Sequence, residues 1–312
     1  MFLKILNMHS LAPYTIRTYD QQYFRLHNTY PPLDKILGRL DLYEIFKDCF
    51  TEQGIDFHIV EDEKKIYRIV SLQVDDKTRI IKGFLQQGSY GLKSDIINID
   101  TGNIDYAKTE KNAELINYYF YLKLPLTYNE GFAFFQSYKS VSAKTIIFNI
   151  LNKYYKEKSG LVLQFKPLTD DKSFDEWKKK AQVKEIKLTK FTGIDDKAQR
   201  ISNLGHRENI ETVLIVKPKK GNFGLLKNFL TQDTDQFKAV EVWEEECQQV
   251  KTVVSLNGKN RTFTVGRNQT TALCEIEAPD YIEVQGGLPT PESLNRWFEE
   301  IDQEFTRSLY KP

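Results

Sequence analysis

Residues 178–190 read KKKAQVKEIKLTK, six lysines against one glutamate, and KPKK at 217–220 adds three more. The candidate set is Lys178, Lys179, Lys180, Lys184, Lys187, Lys190, Lys217, Lys219 and Lys220. A lysine ammonium is a mobile point charge suited to phosphate oxygens. Grouped lysines hold a nucleic-acid backbone by displacing its counterions. Such contacts position a partner and carry no base identity. The second group follows the apolar run ETVLIV, and the first lies partly within VKEIKLTKF. If those two strands are neighbours, the lysines form one patch. The same residues also fit a solvated lysine-rich face, and composition leaves both readings open.

Other chemistries leave weaker traces. Glu241, Glu244 and Glu245 with Lys251 contain the residue types of a metal-dependent nuclease, as do Asp75 and Asp76 with Lys82. Neither set has the compact order of such a site. GNFG at 221–224 follows a strand and precedes a candidate helix, so its amides could face a phosphate or form a plain turn. The four histidines, His9, His27, His58 and His206, share no metal-ligand spacing with Cys49, Cys247 or Cys274. A structural zinc site is not expected, and neither is a cofactor. No strand ends in a nucleophile elbow.

Over all 312 residues, 44 basic side chains nearly cancel 43 acidic ones. Bulk charge therefore selects no partner. Its distribution is uneven. Residues 174–220 hold 12 Lys or Arg against seven Asp or Glu, and residues 241–312 hold seven against 13. Hydrophobic residues make up 40% and aromatics 13%, enough for a sizeable core. Three cysteines with no close pair suit a reducing compartment. The opening MFLKILNMHSLAPY makes a poor signal peptide, and no apolar run reaches about 18 residues. A cytoplasmic protein without a membrane span is expected.

The elements that would position the lysines are α+β: mixed or mainly antiparallel sheets with packed helices. PPLDKILGRLDLYEIFKDCF, residues 31–50, has helical spacing. Alternating runs from FHIVED to NIDYAK predict strands joined by glycine turns. YYFYLKL and EGFAFFQ read as apolar strands that either build the core or supply aromatic contacts to a partner. Residues 143–156 predict a helix with Ser140 or Ser142 as cap and Gly160 as stop. In the second half, DDKAQRISNLG reads as a short helix, as does GNFGLLKNFL, whereas KAVEVWEEE, TVVSLN, RTFTVGR and ALCEIEA read as strands. LNGKNR predicts a hairpin turn. Thr290 and Pro291 open an amphipathic C-terminal helix whose Leu294, Trp297, Phe298, Ile301, Phe305 and Leu309 form one stripe. That stripe either docks on the chain's own sheet or forms a dimer face. The polar LTDDKSFD predicts a boundary, dividing an N-terminal α+β domain at 1–170 from a C-terminal one at 171–312.

VKEIKLTKFTGI at 183–194 and NIETVLIVKPKK at 209–220, separated by a short glycine-ended segment, give the second half a resemblance to the RexA family of phage-exclusion proteins. FLQQGSYGLKSDIINIDTGNIDYAK is similar in style to that family's N-terminal domain. The resemblance implies binding of duplex DNA without strong sequence preference, a homodimer, and a membrane partner that executes the response to phage infection; a non-enzymatic role and a phage or defence-system protein partner are expected with it. It assigns Lys217, Lys219 and Lys220 to a phosphate-contacting turn. The expected function is thus backbone binding in an abortive-infection setting. The alternatives are a metal-dependent nuclease or other toxin of a defence system, or a scaffold that senses a phage protein.

Overall fold

The computed structural model describes residues 9–139, 141–168, 177–189, 213–256, 258–266 and 274–310. These fall into two compact units. One is Tyr14–Lys166; in the other, His9–Pro13 joins the residues that follow Lys166. The sheets are largely antiparallel, including the ladders of Lys65–Asp75 with Ile80–Ser89, Ile80–Ser89 with Ile116–Lys123 and Gln182–Thr189 with Gln249–Leu256.

The unit of residues 14–166 takes the latter part of β1 (His9–Tyr19), then β2 (His58–Val60), β3 (Lys65–Asp75), β4 (Ile80–Ser89), β7 (Ile116–Lys123) and β8 (Gly131–Tyr138). Their order is β1-β8-β7-β4-β3-β2. The short β9 (Val141–Ser142) pairs with β8, and β10 (Val162–Pro167) with β1. Among the described residues a separate hairpin, β5 (Ser94–Ile97) and β6 (Ile104–Lys108), pairs only with itself. The helices are α1 (Gln21–His27), α2 (Leu42–Gln53) and α3 (Lys144–Ser159).

The helix expected over 31–50 begins only at Leu42. Asp41 takes the cap, accepting from the Tyr43 amide at 2.9 Å. Before it, Ile36 bridges Leu40, and Leu37 and Gly38 turn through left-handed backbone at φ 51° and 75°. Leu33 and Ile36 are nonetheless fully buried, so the apolar periodicity there marked core contacts and not a helix. Arg79 fastens the same cap. Its guanidinium meets both Asp41 oxygens at 2.9 and 2.5 Å, its Nε donates to the Leu124 carbonyl, and it lies 4.6 Å from the Tyr43 ring. At the start of α3 the cap residue is Ala143, without a side-chain cap bond, and not Ser142, whose hydroxyl only accepts from the Lys144 amide at 3.4 Å; Ser140 lies outside the described residues. Gly160 ends the helix in left-handed backbone at φ 71°.

Phe46 and Phe50 of α2, Ile147 and Leu151 of α3, and Phe120 and Phe135 of the sheet share one core. Each such side chain contributes about 1.5–3 kcal/mol by leaving water. Tyr119, Tyr121, Phe132 and Phe134 occupy alternate positions on the same two strands and are buried as well. Most of the aromatic-rich stretch therefore builds the interior, while Tyr128 in its turn is 37% exposed. Gly83 permits a close strand approach, since a Cβ there would fall 2.1 Å from the Ser71 carbonyl oxygen, beside the bulge between Ile69 and Ser71.

The second unit has β11 (Gln182–Thr189), β12 (Val213–Val216), β13 (Gln249–Leu256), β14 (Lys259–Val265), β15 (Cys274–Glu277), and a small hairpin, β16 (Val284–Gln285) and β17 (Leu288–Pro289). Strand order is β12-β11-β13-β14-β15, and Ser10 and Leu11 of β1 pair with Glu277 and Ile276. The helices are α4 (Leu226–Leu230), α5 (Asp235–Glu246) and α6 (Pro291–Leu309). Thr290 caps α6 through the Ser293 amide. Its Leu294, Trp297, Phe298, Ile301 and Phe305 are buried against the chain itself; the Leu309 side chain lies outside the described residues. Arg261 of β14 ion-pairs with Glu304 of α6 and lies over the Trp177 and Phe305 rings.

KAVEVWEEE is a helix, not the strand its V-E-V alternation predicts. Thr234 caps α5 by accepting from the Phe237 amide at 3.2 Å. Phe237, Val240 and Trp243 then recur every three residues, and Val240 is fully buried. The expected segment DDKAQRISNLG lies outside the described residues. Among the described residues no helix is long and apolar enough to cross a membrane.

Candidate nucleic-acid interface

The two lysine-bearing strands are neighbours. β11 and β12 pair antiparallel, with Ile186 opposite Val216 and Lys187 opposite Ile215. On its other side β11 pairs with β13, placing Lys187 opposite Lys251. A bulge between Val183 and Glu185 resets the alternation. Val183, Ile186 and Leu188 are consequently all buried, and Lys184 is exposed. Without the bulge Lys184 would share the phase of Ile186 and Leu188.

On the face carrying Lys187, charges alternate across the strands. Lys217 Nζ lies 2.6 Å from Glu185 Oε2, and Lys187 Nζ lies 3.7 Å from the other Glu185 oxygen and 2.8 Å from Glu277. Lys251 pairs with Glu275 at 3.0 Å. The Thr262 hydroxyl donates to Glu277 at 3.1 Å. Three lysines meet three glutamates, so this row is neutral. Its members are mostly withdrawn from water: Glu185 is 13% and Lys187 21% exposed, whereas Lys217 at the rim is 63% exposed. Opposite charges across strands stabilise the pairing, and that is the chemistry this row performs. Lys187 is thus a member of a structural ladder.

The turn after β12 makes a different environment. It folds back along β11: the Phe223 amide donates to the Val183 carbonyl and the Val183 amide to the Gly224 carbonyl, both at 2.9 Å. Asn222 Nδ2 reaches Gln182 Oε1 at 3.1 Å, and Lys184 Nζ reaches the same oxygen at 3.3 Å. The KPKK turn is thereby held beside Lys184. Lys184, Lys219 and Lys220 are exposed. Lys178, Lys179 and Lys180 precede β11 in a helical turn, where the Ala181 amide donates to the Trp177 carbonyl. Lys190 lies outside the described residues.

GNFG is a turn and not a phosphate cradle. Its Phe223 amide is bonded to Val183, and its Gly224 amide donates to Asn222 Oδ1 at 2.9 Å. Gly221 and Gly224 supply the left-handed backbone, at φ 81° and 102°. The helix that follows has five residues.

Glu241, Glu244 and Glu245 stand on α5, while Lys251 stands on β13 and is paired with Glu275. Asp75 Oδ1 accepts from the Lys77 and Thr78 amides, and Asp76 accepts from Tyr43 and Lys47. A hydrogen bond from the Thr78 side chain, with those from the Thr78 and Lys77 amides, holds the Asp75 carboxyl below the usual range, and the bonds from Lys47 and Tyr43 do so for Asp76. Among the described residues no group of three or more His, Cys, Asp or Glu could hold a metal ion. Burial pushes the Cys49 and Cys274 thiols up to about 12, which disfavours the thiolate a nucleophile needs. Burial likewise lowers the pKa of His9, favouring its neutral form.

Reading lysines alone missed Glu185, Glu275 and Glu277, which neutralise one face, and Gln182 and Asn222, which pin the turn. The alternation in KEIK carried a trace of the first group, but identifying the partners required strand order. Neither a protein-family profile nor a curated protein matches this chain.

Proposed function

We propose that this protein binds nucleic-acid backbone, duplex DNA foremost, without strong sequence preference. Exposed lysines at the end of the β11–β12 pair make the contacts, in the phage-defence setting that the RexA resemblance implies. The observation that carries the reading is the fold-back after β12, in which Asn222, Phe223 and Gly224 bond to Gln182 and Val183 next to Lys184, with Lys184, Lys219 and Lys220 all exposed to solvent. Lys178, Lys179 and Lys180 lie in the helical turn before the same strand and extend the basic surface. Ammonium groups so held contact phosphate oxygens and release counterions. The turn offers no planar bidentate fork for a base edge, so affinity is expected to be similar across sequences.

The test is a gel-shift and salt titration with labelled duplex DNA and magnesium present. Retarded, uncut DNA is expected, with affinity falling steeply as salt rises. A K184Q/K219Q/K220Q variant is expected to keep its circular dichroism spectrum and to lose affinity equally on unrelated sequences. An unchanged salt slope in the folded variant would remove this surface from the function. Cleavage abolished by a single carboxylate substitution would move the assignment to a nuclease.

A further inference from the structure

The β5–β6 hairpin is an uncovered arm. Every residue of β5 is exposed, as are the first four of β6. Ile99 is 95%, Ile104 58%, Ile97 54%, Tyr106 49% and Ile96 43% exposed. The arm is nevertheless well formed. Its base is fixed by the Gly91 amide donating to the Glu110 carbonyl and by a Lys93–Glu110 ion pair. Its tip is fixed by Asn98 Oδ1, which accepts from the Asp100 and Thr101 amides. A lone two-stranded hairpin is marginal in water, and a concentrated apolar patch on its surface marks an interaction site. Asp95, Asp100 and Asp105 are exposed on the arm, which sets it against nucleic acid and anionic lipid and toward a basic partner.

The chain itself presents a matching acceptor. Among the described residues β12 ends its sheet and pairs on one side only, with β11. Its Val213, Leu214 and Ile215 are 42%, 37% and 49% exposed. An edge strand lacking charge along its length is a template for another strand. Immediately after it come the exposed Lys217, Lys219 and Lys220. In the unit of residues 14–166 the edge strand β2 carries an exposed Ile59 but runs into exposed Glu61, Asp62 and Glu63, which repel an acidic arm.

We propose that β5 of one chain adds as an antiparallel strand to the β12 edge of a second copy. The charge-matched register sets Asp95 opposite Lys217, Ile96 opposite Val216 and Ile97 opposite Ile215. Backbone bonds supply affinity, and the apolar pairs and the Asp–Lys pair supply register. The contact joins two different surfaces, so it closes into a ring or extends as a chain. It is independent of the nucleic-acid reading, since it requires no DNA.

Sedimentation velocity on the full chain tests it. Wild type is expected to sediment as a species larger than the monomer. An arm variant, I96D/I97D, and an edge variant, L214K/I215K, are each expected to be monomeric alone. Mixed, they are expected to form a one-to-one dimer, because one still offers an edge and the other an arm. A monomeric wild type overturns the proposal. Assembly of the arm variant alone would assign the contact to paired edges, and assembly of the edge variant alone to paired arms; either result overturns it, as does a monomeric mixture. Should a double variant misfold, D95K and K217D chains serve instead. Each is expected to assemble more weakly than wild type, with recovery on mixing; no recovery would refute the register and the proposal with it.

Discussion

Lys187 and Lys184 stand three residues apart on one strand, yet they live in different chemical settings. Lys187 faces a row where Glu185 and Glu277 lie within 3.7 and 2.8 Å of its ammonium. Lys184, turned outward by the bulge, shares Gln182 with Asn222 of the KPKK turn. The first is part of a neutral ladder that helps hold strands together. The second belongs to a cationic rim offered to solvent. A lysine's role here is set by what the next strand places opposite it, and not by the local density of lysines.

Removing the rim gives the largest expected effect. K184Q/K219Q/K220Q should lower the salt slope of DNA binding by about 3, with affinity down about 100-fold near 0.1 M salt. Its unfolding free energy from chemical denaturation should change by less than about 0.5 kcal/mol, because exposed surface positions contribute little to stability. If the variant binds normally, the rim and the ladder no longer differ in function and the comparison fails.

The ladder should show the reverse pattern. Lys187→Met leaves Glu185 and Glu277 without this partner in a poorly solvated row, at a cost of about 1–3 kcal/mol. Urea denaturation should detect that loss, while DNA affinity at fixed salt stays close to wild type. A stable variant with weakened binding would put Lys187 back among the phosphate contacts.

Lys217 lies between the two settings, being 63% exposed yet paired with Glu185 at 2.6 Å. Glu185→Gln removes the competing carboxylate and should tighten DNA binding by about two- to fivefold, as one more phosphate contact becomes available. Lys217→Gln should weaken binding less than any single change at Lys184, Lys219 or Lys220. Titrations of the four single variants side by side would sharpen the boundary between ladder and rim, and a larger effect from Lys217 would redraw it.

Much of the architecture was written locally. Thr290, Pro291 and the spacing from Leu294 to Phe305 specify α6, because cap, first turn and stripe lie within one segment. The alternation in KIYRIVSLQVD and the apolar YYFYLKL specify strands for the same reason. Local pattern misled where two periods overlapped. In KAVEVWEEE the β-branched alternation competed with the three-residue spacing of Phe237, Val240 and Trp243, and the Thr234 cap just upstream favours the helix. At 31–41 the apolar spacing was real, but the residues reach the core from a bridged turn.

By itself the sequence determined which residues carry charge, that two lysine groups flank apolar strand segments, and that enough aromatic surface exists for a core. It also held the alternating Lys and Glu of β11. Only tertiary structure decided which lysines meet carboxylates. Glu277 lies 90 positions from Lys187 in the chain, and their ion pair exists because β11, β13, β14 and β15 stand side by side in register. The bulge that frees Lys184, the fold-back that carries Lys219 and Lys220 to it, and the open edge of β12 likewise depend on strand pairing. Pairing is a long-range choice made by burial and hydrogen bonding together, and a one-residue shift in it exchanges the two faces of a strand.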